Sequence, residues 1–217
     1  MLDTTMKHLY NLLFERFGHR NWWPANSPFE VCAGAILTQN TSWKNVEKAI
    51  NNLKEAHRLD PFQLYETPLD ELATIIKPAG YFNVKSKRLK NFINHLVEFH
   101  AGSLDKMFEA SVKDLRAELL SINGVGRETA DSMILYAANK PIFVVDVYTR
   151  RALERHGMIV EKADYDEIRE LFERNLEPDV ALFNDFHAQF VAVGSNYCGR
   201  KPKCSGCPLN EFEKAGW

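Results

Sequence analysis

Long apolar runs are missing: among the chain's 217 residues none approaches the roughly 18 consecutive apolar positions that a spanning helix needs. The opening stretch MLDTTMKHLYNLLFERFG places Met6, Leu9, Leu13 and Phe17 at helical spacing, but acids and bases break it before a signal-like apolar core forms, and a cytoplasmic protein is expected. Surplus positive charge is missing too. The formal net charge of −2 excludes a surface coated in basic groups, though it leaves room for a local basic face. Strand signals are almost absent; the one apolar run of that kind, Ile142 to Val145 (IFVV), fits a buried extended linker equally well. Low-complexity tracts and long linkers are absent, so any division into two domains must come from helix packing. Cysteine is scarce and uneven: of four, three stand within the last twenty residues as Cys198, Cys204 and Cys207. That clustering argues against a disulfide frame and for metal ligation, while the distant Cys32 reads as a small buried apolar residue.

What is present describes an ordinary globular chain, 45% hydrophobic and 26% charged, of one or two compact domains. Helix starts recur. Ser27-Pro28-Phe29-Glu30 is a capping box with proline at the first helical position, and Asp60-Pro61 and Thr67-Pro68 repeat the cap-then-proline pattern. Apolar residues follow at helical period: Val46, Ala49, Ile50 and Leu53; Leu89, Phe92, Ile93 and Leu96; Ile168, Leu171 and Phe172; Phe183, Phe186 and Phe190. The expected fold class is all-α.

One segment asks for more than packing. Leu119 to Ala137 reads LLSINGVGRETADSMILYA, with Ser111 and Asp114 able to cap a helix through Leu120 and a second helix starting near Arg127. Between them lie Asn123, Gly124, Val125 and Gly126. Glycines permit positive φ and the close approach of another backbone, and the amides at a helix N-terminus form an anion site suited to a phosphodiester. A tight interhelical turn is the plainer alternative.

The pattern LxxINGVGRxTA is more specific than its glycines, and with it the chain resembles the helix-hairpin-helix DNA glycosylases of the endonuclease III superfamily. The likeness runs through AILTQNTSWKNV, GYFNVKSKRL, NGVGRETAD, VVDVYTRR and the terminal cysteines, while NWWP, ILTQNT and VVDVY look most like the 3-methyladenine DNA glycosylase III branch. The resemblance implies two helical lobes with a DNA-binding cleft between them, the N-terminal helix joining the C-terminal lobe. The expected boundaries are 22–133 for the lobe with the hairpin, and 1–21 with 134–217 for the other. The implied partner is double-stranded DNA with a damaged base, met by a nucleoid-associated monomer.

Asp146 stands twenty residues past Gly126, at an apparent helix start, where the family carries its essential aspartate. An N-cap is the plainer role, and the two can coexist. A fixed carboxylate would stabilise the oxocarbenium-like sugar and orient or deprotonate water. Glu128 occupies the position at which bifunctional relatives carry a Schiff-base lysine; a carboxylate cannot form an imine, so a monofunctional, water-using enzyme is expected. Gln39, in LTQNT, matches the residue that plugs the space left by an extruded base, or else it is a polar helix terminus. Trp22, Trp23, Pro24 and Trp43 are candidates for the base pocket, at least one of the tryptophans being expected in the core. An alkylated purine is the leading substrate because its positive charge is drawn to an indole face.

Phosphate contacts are expected from Lys85, Lys87, Arg88 and Lys90, from Arg127, Arg150 and Arg151, and from Arg200, Lys201 and Lys203, although basic runs on helices are often only solvated faces. Cys198, Cys204 and Cys207 resemble the family's iron-sulfur loop, with a first spacing one residue shorter and Glu213 where the fourth cysteine would stand. A four-iron, four-sulfur cluster is expected, completed by Glu213, another group or an external ligand; a labile or lost cluster, as the resemblance to the 3-methyladenine branch allows, stays open, with zinc as the lesser alternative. Two other functions stay open: an endonuclease III-like enzyme, with or without strand cleavage, acting on oxidised, deaminated or mismatched pyrimidines, and a non-catalytic binder of distorted duplex.

Overall fold

Serine and aspartate side chains set the start of helix after helix. In the computed structural model, which describes residues 2–20, 22–210 and 212 (side chains from residue 4 onward), the regular structure of the described residues is helical, with no strand among them. The chain divides into two compact units, Met1–Pro24 with Pro141–Trp217, and Ala25–Lys140. These boundaries fall a few residues beyond the expected 22 and 133. The reason lies in Met133–Ala137, which packs against α2 (Pro28–Leu37), where residues 29–37 are all buried.

The first unit begins with α1 (Leu2–Phe17). In the second unit α2 is followed by α3 (Trp43–Glu55), α4 (Pro61–Glu66), α5 (Leu69–Ile75), α6 (Phe82–His100), α7 (Leu104–Phe108), α8 (Val112–Ser121) and α9 (Arg127–Ser132). Ser27 accepts the Glu30 amide, Asp60 the amides of Phe62 and Gln63, and Ser111 the Asp114 amide. Thr67 does not cap α5 as its sequence suggests; its hydroxyl donates to the Gln63 carbonyl and closes α4 instead. The periodic residues of α3 and α6 are buried, packing α6 against α2, α4 and α5.

The first unit continues with α10 (Val147–Arg155), α11 (Tyr165–Asn175) and α12 (Val180–Asn196), and α1 packs against α11 and α12. Phe143, Phe172, Phe183, Phe186 and Phe190 form its aromatic core, with Phe143 stacked on Phe172 at 3.7 Å between centroids. Ile142–Val145 is a buried extended linker rather than a strand. Its backbone finds side-chain partners in place of a neighbouring strand: the Phe143 amide donates to Glu173 at 3.0 Å and the Val145 amide to the Tyr165 hydroxyl at 3.3 Å. A Cβ on Gly194 would sit 2.2 Å from the Tyr148 ring, so α10 and α12 approach as closely as they do because that position is glycine.

Candidate DNA-binding and catalytic site

The hairpin between α8 and α9 is built from both sides. Arg116 on α8 holds the fully buried Asp131 on α9 through two hydrogen bonds, at 2.7 and 3.2 Å, which fixes the helices that flank the turn. Behind the turn, Asn91 on α6 donates to the Asn123 carbonyl at 3.0 Å. Gln39, just past α2, donates to the Gly124 carbonyl and the Thr129 hydroxyl, both at 3.0 Å, and accepts from Arg88. A residue that plugs a vacated base site would first have to release these bonds. Val125 is buried, whereas Asn123, Gly126 and Arg127 are exposed.

The two glycines differ. Gly124 has φ of +100°, and a Cβ there would lie 2.3 Å from Arg88 Cγ, so the fold itself requires glycine. Gly126 has φ of −92° and nothing within 4 Å of a built Cβ. The fold would accept a side chain at Gly126. No side chain caps α9.

The basic run on α6 requires a correction. Lys85 is 1% exposed, and its ammonium donates to the carbonyls of Leu37 and Ala79, each at 2.8 Å, tying the end of α2 to the loop before α6. Burial pushes its pKa down to about 8, assisted by Arg88. It contacts backbone, not phosphate. Lys90 similarly caps the end of α4 through the carbonyls of Leu64, Tyr65 and Thr67, and Arg88 packs its stem on Gly124. Helical spacing places charges without saying which way they face; the carbonyl-rich helix ends beneath α6 draw these cations inward. Lys87 alone of the four is exposed. In the first unit Arg150 donates to the Ala163 carbonyl at 2.6 Å and Arg151 to that of Cys198 at 2.9 Å, while Arg200, Lys201 and Lys203 are exposed.

Asp146 is the N-cap of α10: one oxygen, Oδ1, accepts the Thr149 amide at 2.7 Å, and the other, Oδ2, lies 3.6 Å from His187 Nε2. Its side chain is 10% exposed. Burial pushes the carboxyl up, but His187 and the Thr149 bonds outweigh burial and hold it below the usual carboxylate range. An ionised carboxylate in that setting can stabilise a developing cation or take a proton from water, and it cannot serve as an acid at neutral pH.

His187 escaped the sequence reading, as did Asp185. The signal was available in the apolar stretch LFNDFHAQFVAVG, whose Asp185, His187 and Gln189 are all buried in α12. Asp185 accepts from the Tyr10 hydroxyl and the Arg20 amide, each at 2.8 Å, and from Gln189 at 3.1 Å. With Tyr10, His19, Leu182 and Trp22 it lines a cavity of the first unit. Trp23 is half-buried with its ring edge-on to Trp22, and Pro24 is exposed. Trp43, half-buried, opens α3 in the second unit, so the tryptophans do not form one cluster within either unit.

Of the terminal cysteines, Cys198 is buried, Cys207 half-buried and Cys204 exposed. Arg155 donates to Cys198 Sγ at 3.1 Å and to the carbonyls of Gly199 and Arg200. Burial, and then the neighbouring Cys198 and Cys204, push the Cys207 thiol up, so the three sulfurs feel one another. Glu213 lies outside the described residues. Cys32 is buried in α2, where burial pushes its thiol far up.

Comparison with known proteins agrees with this arrangement. The family model of the HhH-GPD superfamily base excision DNA repair protein matches residues 33–178. A Methanocaldococcus jannaschii protein, whose name provisionally makes it a DNA repair glycosylase, is 50% identical over 207 residues, covering 94% of this chain and 93% of its own. The structure of H. pylori 3-methyladenine DNA glycosylase bound to 1,N6-ethenoadenine is similar at 29% identity and a TM-score of 0.75, over 88% of this chain and 95% of that one. A non-covalent endonuclease III–DNA complex shares the fold, with a TM-score of 0.83 at 21% identity over 98% and 95% of the two chains. The chain belongs to the HhH-GPD superfamily of base excision DNA repair proteins and is a DNA glycosylase.

Proposed function

We propose that the enzyme is monofunctional: it extrudes an alkylated purine such as 3-methyladenine from duplex DNA, hydrolyses its N-glycosidic bond and leaves an abasic site. Glu128 carries this reading. It is exposed in the first turn of α9, two residues past Gly126, and a carboxylate cannot form the imine through which an amine at that place would go on to cleave the strand. Water is therefore the nucleophile. As the base departs, the sugar becomes oxocarbenium-like, and the fixed negative charge of Asp146 stabilises it and orients or deprotonates the attacking water. Oδ1 is committed to the Thr149 amide, so Oδ2, beside His187, is the oxygen that acts. The hairpin amides and the bare Gly126 hold a phosphate, and the exposed Asn123, Arg127 and Lys87 add further contacts to the DNA backbone.

Two observations support the alkylated purine. Trp22 and the Asp185 carboxylate line one cavity, and the H. pylori relative is a 3-methyladenine glycosylase with a modified adenine bound. An indole face attracts a cationic base by about 2 kcal/mol when desolvated, roughly a thirtyfold preference over a neutral base of the same shape. The weakened glycosidic bond of a charged base adds to that selectivity. Trp23, Pro24 and Trp43 are assigned to base recognition on the same reading.

The test is release of free base from duplexes bearing 3-methyladenine, 7-methylguanine, hypoxanthine, uracil, thymine glycol or a G·T mismatch. Release of alkylpurine is expected. Release of pyrimidine alone would move the substrate to the oxidised, deaminated or mismatched class, and an adduct trapped by borohydride in good yield would overturn the water-using mode. Tight binding with no base released from any duplex would make the chain a non-catalytic binder.

On the same reading Cys198, Cys204 and Cys207 hold a four-iron, four-sulfur cluster through three thiolates, with Glu213 or another group as the fourth ligand. Arg155 donates to Cys198 Sγ, and iron would hold all three sulfurs as thiolates, Cys207 included, whose thiol is pushed up first of all by burial. When bound, the cluster cross-links the loop carrying Arg200, Lys201 and Lys203 and supplies none of the base-removal chemistry. Elemental analysis is expected to give about four irons per chain; stoichiometric zinc in their place would overturn the assignment. No helix of the described residues is long and apolar enough to cross a membrane, which accords with an enzyme working on DNA in the cytoplasm.

A further inference from the structure

A second group of metal-ligating side chains lies apart from the cysteine loop. On α6, His95 and His100 direct their Nε2 atoms at one oxygen of Glu118 on α8, at 2.7 and 2.5 Å. The ligand atoms of all three residues lie within 4.8 Å of one another. We propose that His95, His100 and Glu118 bind a divalent transition-metal ion, with zinc the expected occupant, and that the ion braces α8 against α6.

The convergence is not a by-product of helical periodicity. Residues five apart on an ideal helix point about 140° away from each other, so His95 and His100 would face different neighbours. Both rings nonetheless reach one oxygen of Glu118; His100 is the last residue of α6, which Ala101 and Gly102 end in left-handed conformations at φ of 52° and 74°. Packing also fixes the rings: His95 lies 4.7 Å from Phe99 and 5.9 Å from His100 between centroids. The side chains are 19%, 18% and 26% exposed, sheltered from bulk solvent but open to an entering ion.

The donor chemistry selects the ion. Two imidazoles and a carboxylate suit zinc, cobalt or nickel, whereas magnesium and calcium require oxygen ligands. Three protein ligands leave at least one position for water. As the side chains stand, Glu118 takes two hydrogen bonds on one oxygen, which requires a proton on both Nε2 atoms. A metal ion would take the place of both Nε2 protons, each of which moves to Nδ1 or is released to solvent. Metal–nitrogen bonds of about 2.0–2.1 Å set ligand atoms about 3.3 Å apart, so each imidazole nitrogen needs to part from the Glu118 oxygen by less than about an ångström. The ion would join the two helices at a second point. Asn91, one helical turn before His95, already reaches the hairpin at the Asn123 carbonyl.

The test adds zinc to the full-length chain and to a Cys204→Ser/Cys207→Ser variant, reading stoichiometry by dialysis and the first shell by X-ray absorption. One zinc per chain is expected in the variant, with only nitrogen and oxygen near 2.0 Å and no sulfur near 2.3 Å. At about a hundredfold excess over its Kd, zinc should raise the melting midpoint by about 5 °C or more. His95→Gln and Glu118→Gln should each weaken binding at least tenfold. If the serine variant binds no zinc, or binds it equally well after His95→Gln and Glu118→Gln, the proposal is wrong. Should either variant fail to fold, the first shell of the Cys204→Ser/Cys207→Ser chain decides: sulfur-free zinc supports the site, and absence of zinc overturns it.

Discussion

Gly124 and Gly126 stand two residues apart in one turn and are glycines for different reasons. The first is demanded from inside, by a positive φ and by the stem of Arg88; the second is demanded by nothing in the protein. Lys85 and Lys87 make the same contrast on α6, one with its ammonium held by two carbonyls and the other in solvent. In both pairs, the residue the fold does not use is the one that the proposed function assigns to DNA. On that proposal Asp146 spans the contrast within one side chain, Oδ1 serving the helix and Oδ2 assigned to the chemistry.

The largest expected effect separates those two oxygens. Asparagine caps a helix about as well as aspartate, so Asp146→Asn should leave stability within about 1 kcal/mol of the parent. Base release should fall about 10²–10⁴-fold, because the fixed charge is gone. Single-turnover release and a thermal melt on the same sample measure both. Release at the parental rate would remove Asp146 from the mechanism.

The lysine pair comes next. Lys85→Ala leaves the Leu37 and Ala79 carbonyls without their donor and opens a cavity, at a cost of about 3 kcal/mol and a fall in melting midpoint of about 6–12 °C. Lys87→Ala should leave the midpoint unchanged and make DNA binding less salt-dependent, lowering the log–log slope by about 0.9. Equal effects of the two variants on the salt slope would undo the distinction between them.

Much of the fold was legible in the sequence because helix caps and apolar period act locally. Ser27, Asp60 and Ser111 cap where their positions say they should, and the hairpin begins its second helix at Arg127. The side chains that reach across the fold were harder to read. Lys85, Lys90 and Arg88 look alike along one helix, and only the partners each finds across the fold, the Leu37 and Ala79 carbonyls, the end of α4 and the Gln39 side chain, determine which way each turns. Asp146 is nominated by the family resemblance, whereas His187, 41 residues further on, could be paired with it only through the packing of α10 against α12.

A milder effect is expected from the glycine pair. Gly124→Ala forces a side chain into a left-handed conformation and against Arg88, and should destabilise by about 1–3 kcal/mol. Gly126→Ala should change stability by only a few tenths of a kcal/mol while weakening duplex binding, since a methyl group would stand where the phosphate backbone approaches. A Gly126→Ala protein that binds DNA as the parent does would make that glycine incidental.

The smallest effect is the dependence of stability on pH, and it tests which role Asp146 can play. Its folded carboxyl lies below the unfolded value near 3.9, so between the two values the unfolded chain binds more protons than the native one. The stability contributed by the charge is therefore fully present above the unfolded pKa and is lost as pH falls through the folded pKa. Urea midpoints of the parent and Asp146→Asn, followed from about pH 6 to about pH 3, should differ by a constant margin at first and then converge in acid. A margin that instead reversed or grew as the pH fell would mean a carboxyl held above its usual range, protonated and able to donate to the departing base. Convergence leaves Asp146 with the one function its geometry allows, a charge that faces the forming sugar cation through Oδ2 while Oδ1 remains bound to the helix.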